Sequence, residues 1–296
     1  MTTTGVLALS HGTPDRREDV ASFYTAIRHG RAPTPELLAD LLTRYDAIGG
    51  TSPLTARTRD QVSSLARVLE ARSPGAYVVE GGTKYATPSI EAAAARLVER
   101  GAKVVVGVVL SPLPAATSTA QYHERAHAAL VGTAYVPVST WWERPRFVAL
   151  LADRVRACVA SCATPPVVCF TAHSLPVRVS PPGSEYPVSL ARAAAAIAEA
   201  AGLEDHVVCW QSAGRTGDEW LGPDVLEVLR SLDDGVRDVV VCPVGFVSDH
   251  LEVLYDLDVE ASAVAATRSI TLHRTASLND DPTFVDVLAD VVEGAA

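Results

Sequence analysis

The sequence predicts an α/β fold: two Rossmann-like domains, each a parallel sheet covered by helices, with a cleft between them. Three observations carry that expectation. Short strand-like runs alternate with helical periods along the whole chain. Val104–Leu110 is apolar and mostly β-branched throughout, and the residues with chemistry to offer sit just past the strands. Strands alternating with helices imply parallel sheets. An unbroken apolar run marks a strand buried on both faces. Ligands in such folds bind beyond the carboxyl ends of the strands.

Gly5–Leu9 reads as the first strand, followed by helices over Arg17–Arg28, Thr34–Tyr45 and Thr55–Arg72. The last of these carries Val62, Leu65, Ala66 and Leu69 at helical period. Ala76–Val79, Val104–Leu110 and Ala134–Val138 complete the first set of strands. Between them lie helices over Pro88–Arg100, closed by Gly101, and Thr119–Leu130. The pattern then repeats. Helices are predicted over Arg144–Ser161, Val188–Ala201, Pro223–Ser231, Ser248–Glu260 and Pro282–Glu293. The strands between them are Pro166–Thr171, His206–Gln211, Asp238–Pro243 and Ser269–Leu272. The domains divide as residues 1–142 and 143–296, with the terminal helix free to pack back on the first domain.

Composition agrees. The 296 residues suffice for two compact domains, and 48% of them are hydrophobic. No run approaches the roughly 20 apolar residues that span a bilayer. The N-terminus lacks the basic region of a signal peptide and reads better as a strand. A net charge of −10 argues against non-specific nucleic-acid binding, although a local Arg cluster can still hold an anion. Five cysteines, an odd number, suggest reduced thiols in a cytoplasmic protein. Cys169, Cys209 and Cys242 lie in apolar strands and read as small hydrophobes. Cys158 and Cys162 stand four apart on a helix. A metal site there needs two more ligands, and no other cysteine pair lies nearby in the sequence.

The densest chemistry lies in Pro243–Glu260. On the predicted helix Glu252, Asp256 and Glu260 fall at i, i+4 and i+8, so one face carries three carboxylates. An acidic stripe on a solvated surface is one reading. The apolar residues around it, Phe246, Val247, Leu251, Val253, Leu254 and Tyr255, favour a half-buried helix instead. Buried carboxylates need a partner, and a metal ion or protons in transit would serve.

Other loops converge on the same end of the strands. His173 follows an apolar strand and precedes Ser174-Leu-Pro176, which suits metal ligation or proton transfer; a core histidine bonded to a carbonyl is the alternative. No Gly-x-Ser-x-Gly elbow surrounds Ser174, and neither a Gly-x-Gly-x-x-Gly turn nor a Walker loop occurs. Arg28, Arg31, Arg44 and Ser52 cluster in the N-terminal half, where Arg can pair with carboxylates and Tyr45 and Tyr122 offer flat surfaces.

At this point the chain resembles the ferrochelatase family over nearly its full length, especially the short bacterial branch acting on coproporphyrin III. The carriers are Gly12-Thr-Pro14, Ile27-Arg-His-Gly-Arg31, Arg44-Tyr45, Ala47–Leu54, Ala172-His-Ser-Leu-Pro176, Trp210-Gln-Ser212, Trp220–Asp224 and Pro243–Asp256. The resemblance implies a chelatase-like fold, usually monomeric. It implies a lyase that forms a nitrogen–metal bond, with Fe(II) as substrate and no tightly bound cofactor. It assigns the metal site to His173 and Glu252, extends the metal or proton path to Asp256 and Glu260, and places the porphyrin against Arg28, Arg44, Tyr45, Ser52 and Tyr122. No iron–sulfur cluster is expected, because a cysteine-rich C-terminal extension is lacking.

Two departures stand out. His11 replaces the Tyr that several close members carry before Gly-Thr-Pro, and imidazole is a capable axial ligand. Ser111–Thr117 is smaller and more apolar than is usual there. Two alternatives stay open: a chelatase for cobalt, nickel, zinc or a sirohydrochlorin-like tetrapyrrole, or a non-catalytic porphyrin or haem carrier.

Overall fold

The computed structural model describes residues 3–115, 118–214 and 216–296. The first half holds strands β1 (Thr4–Ser10), β2 (Tyr77–Thr83), β3 (Val104–Val109) and β4 (Ala134–Val138). Its helices are α1 (Val20–Ile27), α2 (Pro35–Ala47), α3 (Leu54–Arg72), α4 (Ile90–Glu99) and α5 (Thr119–Ala129). The second half opens with α6 (Pro145–Ser161), β5 (Val167–His173), α7 (Glu185–Ala201), β6 (Val207–Gln211), α8 (Val225–Ser231) and β7 (Asp238–Cys242). Then come α9 (Leu251–Leu254), a π-helical turn (Asp256–Ala261), α10 (Ser262–Thr267), β8 (Thr271–Arg274) and α11 (Pro282–Glu293).

Both sheets are four-stranded and wholly parallel, ordered β2-β1-β3-β4 and β6-β5-β7-β8. The two halves thus share one topology. In each, the connections leave the first strand toward one edge and then cross to the other. That reversal opens a crevice between the carboxyl ends of β1 and β3, and another between those of β5 and β7.

Period-two alternation sorts the strand side chains into layers. Val106 and Val108 face a large core shared by both sheets, while Val105 and Val109 face an outer core under α4 and α5. Val168, Phe170 and Ala172 likewise point into the shared core, and Cys169 points the other way. Fully burying a side chain such as Phe170 contributes about 2–3 kcal/mol. Phe147, Leu151, Phe284 and Leu288 from α6 and α11 fill the same central layer. The two sheets are therefore held by one continuous interior.

Polar ties reinforce it. On α3, Arg72 forms ion pairs with Asp286, Asp290 and Glu293 of α11. The buried Gln61 amide, also on α3, donates to Ser248 Oγ at 2.8 Å and to the Asn279 carbonyl at 2.7 Å. Asn279 in turn donates to Asp249 and accepts from its backbone N–H. The segment leading to Glu252 is thus pinned onto the first half.

Three expectations need correction. The helix expected over Arg17–Arg28 is a 3₁₀ turn at Arg17–Asp19 followed by α1. The strand expected to end at Val79 runs on to Thr83, because Gly81 and Gly82 pair with β1 in register. The acidic helix expected over Ser248–Glu260 is α-helical only over Leu251–Leu254 and continues as the π turn. No helix among the described residues is long and apolar enough to cross a membrane.

Candidate active site

His173 is the last residue of β5, and Glu252 is the second residue of α9, beyond the carboxyl end of β7. They flank the crevice of the second sheet. His173 Nε2 lies 3.4 Å from Glu252 Oε1, and both side chains keep about a third of their surface open, 32% and 39%. Two ligands about 2.1 Å from one tetrahedral ion lie roughly 3.4 Å apart. The spacing suits a shared metal.

The approach depends on a small residue. A Cβ on Gly245 would meet Ala172 Cβ at 2.7 Å, directly before His173. Gly245 lets the turn after β7 press against β5. From below, Gln211 at the end of β6 accepts from Thr171 Oγ1 and donates its amide to the Glu252 carbonyl at 2.9 Å.

Glu252 has a second imidazole. His250 Nε2 lies 3.6 Å from Glu252 Oε2, and its ring packs on Phe246 at 4.7 Å. The two histidines are held alike. His173 Nδ1 donates to the Ser174 carbonyl, and His250 Nδ1 donates to the Ser248 carbonyl. A carbonyl can only accept, so Nδ1 carries the hydrogen and Nε2 is turned to the carboxylate.

Electrostatics follow from this geometry. Burial opposes the His173 charge, but Glu252 overrides it and raises the imidazole to about 9. Burial also opposes ionisation of Glu252, yet His173 and His250 hold it well below the usual carboxylate range. The metal-free pair is an imidazolium–carboxylate, and a metal must displace the imidazolium proton to bind.

The next acid behaves differently. Asp256 is 5% exposed; burial and then the Glu252 charge push it up to about 7. Ser212 Oγ donates to its Oδ2 at 2.5 Å, while its buried Oδ1 has no hydrogen-bond partner among the described residues and faces Arg44 Nη1 at 3.6 Å. Ser212 takes a left-handed φ of 62° to do so, a strain of about 1–3 kcal/mol for a non-glycine.

Glu260 sits at the far end of the π turn, its N–H bonded to the Tyr255 carbonyl five residues back. Such a turn holds roughly 4.4 residues rather than 3.6, so a spacing of four falls short of a turn instead of overshooting it. The drift from Glu252 to Asp256 is thereby reversed on the way to Glu260. Glu260 is near enough to help raise Asp256.

The first half supplies the opposite wall. His11 directly follows β1, with Nδ1 donating to the Gly12 carbonyl at 3.0 Å and its ring between Phe23 and Tyr85. Its edge is open, yet the surrounding protein lowers its pKa, against the pull of the Gly12 carbonyl and Glu252. Its Nε2 has no hydrogen-bond partner among the described residues. Tyr45 is buried, its hydroxyl 3.2 Å from Thr13 Oγ1. Arg44 also packs over the Tyr255 ring at 5.1 Å, which links the two halves. Arg28 lies over Tyr24 at 5.5 Å, and its shielded Nε has no hydrogen-bond partner among the described residues. Ser52 accepts from the Leu54 N–H at 3.3 Å and so starts α3. In the Ser111–Thr117 loop, Leu113 is buried in the shared core, and Ala116 and Thr117 lie outside the described residues.

Sequence reasoning gave no role to His250, Ser212 or Lys84. Lys84 follows β2, bonds Gln121 Oε1, and stands over the rings of Tyr85 and Tyr122 at 5.2 and 5.3 Å. The His-x-Glu spacing of residues 250 and 252 was a visible signal for His250. Nothing local marked the other two.

A model of the family described as Ferrochelatase matches residues 3–296. The chain belongs to the ferrochelatase family. Curated ferrochelatases agree along the whole length. The chain is 41% identical to the coproporphyrin III ferrochelatase of Anoxybacillus flavithermus, over 97% of this chain and 95% of that one. It is 40% identical to that of Bacillus subtilis, over 97% and 96%. It is 39% identical to the ferrochelatase of Herpetosiphon aurantiacus, over 98% of each. Among solved structures, the sirohydrochlorin chelatase SirB of Bacillus subtilis subspecies spizizenii, in complex with cobalt, matches with a TM-score of 0.58 at 14% identity, over 99% of this chain and 96% of that one. CbiX, the terminal enzyme of siroheme biosynthesis in denitrifying bacteria, matches at 0.59, also at 14% identity and over 99% of each chain. These likenesses bear on the fold, which is chelatase-like.

Proposed function

We propose that this ferrochelatase-family chain is a lyase that inserts Fe(II) into coproporphyrin III in haem biosynthesis, as a cytoplasmic monomer. The observation that carries the reading is the 3.4 Å approach of His173 Nε2 to Glu252 Oε1 at the mouth of the cleft. Fe(II) is a substrate here, and no resident cofactor or iron–sulfur cluster is needed.

Insertion removes two pyrrole N–H protons and replaces the water around Fe(II) with nitrogen. His173 and Glu252 act at the macrocycle centre. The arriving dication displaces the imidazolium proton, and this proton and the two pyrrole protons leave toward Asp256, a carboxyl poised near 7 and so able to take and release them one at a time at neutral pH. Glu260 continues the path outward. His11 would offer its imidazole to the metal from the opposite wall.

The macrocycle carboxylates need cations. Arg28, with its unsatisfied Nε, and Arg44 supply them, and a bound carboxylate would relieve an orphan donor that costs about 1–3 kcal/mol. Tyr45, Ser52 and Tyr122 frame the same wall. Binding energy from these remote groups can bend the ring and tilt its lone pairs toward the metal.

Anaerobic insertion assays over a grid of porphyrins and divalent metals test this. Fe(II) with coproporphyrin III should turn over fastest among iron reactions. No insertion into any tetracarboxylate porphyrin would contradict it. The imidazoles of His11, His173 and His250 also favour zinc and cobalt, so the grid separates an iron enzyme from a chelatase for another metal.

A further inference from the structure

A second group of metal-ligating side chains lies at the opposite end of the second sheet. Cys162 caps the end of α6, Asp238 opens β7 at its amino end, and His273 lies on β8. One ligand atom from each stands within 4.8 Å of the other two. The sequence showed the Cys158–Cys162 spacing but no second cysteine pair to complete a site. The fold supplies a carboxylate and an imidazole instead.

We propose that Cys162, Asp238 and His273 form a binding site for a borderline divalent transition metal, such as zinc, separate from the cleft. Thiolate, imidazole and carboxylate are the three zinc-ligand types, and a thiolate selects against magnesium and calcium. Three elements distant in sequence bring them together. Asp238 is 3% exposed, and among the described residues His273 is its one ion-pair partner. The set is already oriented: His273 Nε2 donates to Asp238 Oδ1 at 2.8 Å, and Thr164 donates its N–H and Oγ1–H to Oδ2 at 2.9 and 2.7 Å.

An ion would set the three ligand atoms roughly 3.3–3.8 Å apart. The His273–Asp238 pair then opens by about 0.5–1 Å and Cys162 closes by at most about 1.5 Å, within reach of a χ1 change. Entry is open, because Cys162 and Thr164 line a surface groove with Leu203 and Asp205. On binding, the Cys162 thiol releases its proton to solvent as the sulfur–metal bond forms. The hydrogen on His273 Nε2 moves to Nδ1, freeing the Nε2 lone pair for the metal. Water completes the shell. Because the site sits at the amino ends of the strands, its metal fastens α6 to β7 and β8 rather than feeding the macrocycle.

Cobalt(II) titration of the full chain tests the proposal by near-ultraviolet spectroscopy, since thiolate–cobalt charge transfer reports sulfur ligation alone. The native protein and Cys158→Ser should develop the band at one equivalent, and Cys162→Ser and His273→Ala should not. His173→Ala should keep it, which makes this outcome independent of the chelatase reading. Zinc should raise the native Tm by about 3 °C or more and leave that of Cys162→Ser unchanged, with magnesium inert toward both. No band in the native protein, or a band that survives Cys162→Ser, would overturn the site.

Discussion

Glu252 stands between two imidazoles, and His173 at 3.4 Å is the nearer of them. The pair determines its own protonation. Burial alone would lower the His173 pKa, and the Glu252 charge reverses that. In Glu252→Gln the His173 pKa should therefore fall well below about 9, as read by NMR titration of the ring protons. A value still near 9 would remove Glu252 as the cause.

The same shift sets a pH dependence of stability. The folded-state His173 pKa is raised, so its contribution is complete below about 6.5 and is lost as pH rises through about 9. The native Tm should fall across that window, and Glu252→Gln should lose less over it. Solvent screens a pair this open, so the difference will be small. Parallel curves would contradict the linkage.

Asp256 and Glu260 are assigned to metal delivery and proton escape. Asp256→Asn should raise the apparent metal KM several-fold while changing porphyrin affinity little. The opposite pattern, measured by porphyrin fluorescence quenching against steady-state kinetics, would move Asp256 to the porphyrin side.

Arg28 and Arg44 are assigned to substrate carboxylates. A charged hydrogen bond contributes about 1.5–3 kcal/mol, so Arg28→Met should weaken coproporphyrin binding roughly 10- to 150-fold. Arg44→Met should weaken it too and, by removing the cation facing Asp256, raise the Asp256 pKa further. Unchanged Kd values in both variants would sink the assignment.

Gly245 lets the two metal-binding segments meet. Gly245→Ala places a Cβ 2.7 Å from Ala172, and overpacking of this kind costs about 1–3 kcal/mol. The variant should unfold at lower temperature and lose insertion rate beyond what its folded fraction explains. Native activity and Tm would show that the close approach is dispensable.

Much of this was legible beforehand because it depends on pattern. The apolar runs at β3 and β7 and the helical periods between them dictated two parallel sheets. Placing chemistry past the strand ends then pointed to His173, the acidic ladder pointed to Glu252, and the family resemblance joined the two. The π turn was not legible. Its residues carry an ordinary helical period, and the partners of Asp256, Ser212 and Arg44, come from distant segments. Lys84 was hidden for a similar reason, since its cradle joins the end of β2 to Gln121 and Tyr122 on another element. The Cys162–Asp238–His273 cluster comes from three separated segments, and only the fold brings them together.

Anaerobic iron insertion by His173→Ala, measured beside coproporphyrin III binding, tests the central claim most directly. The variant should bind the porphyrin with near-native affinity and insert no iron. Native turnover by His173→Ala would contradict the role of this imidazole and the chemistry built on it.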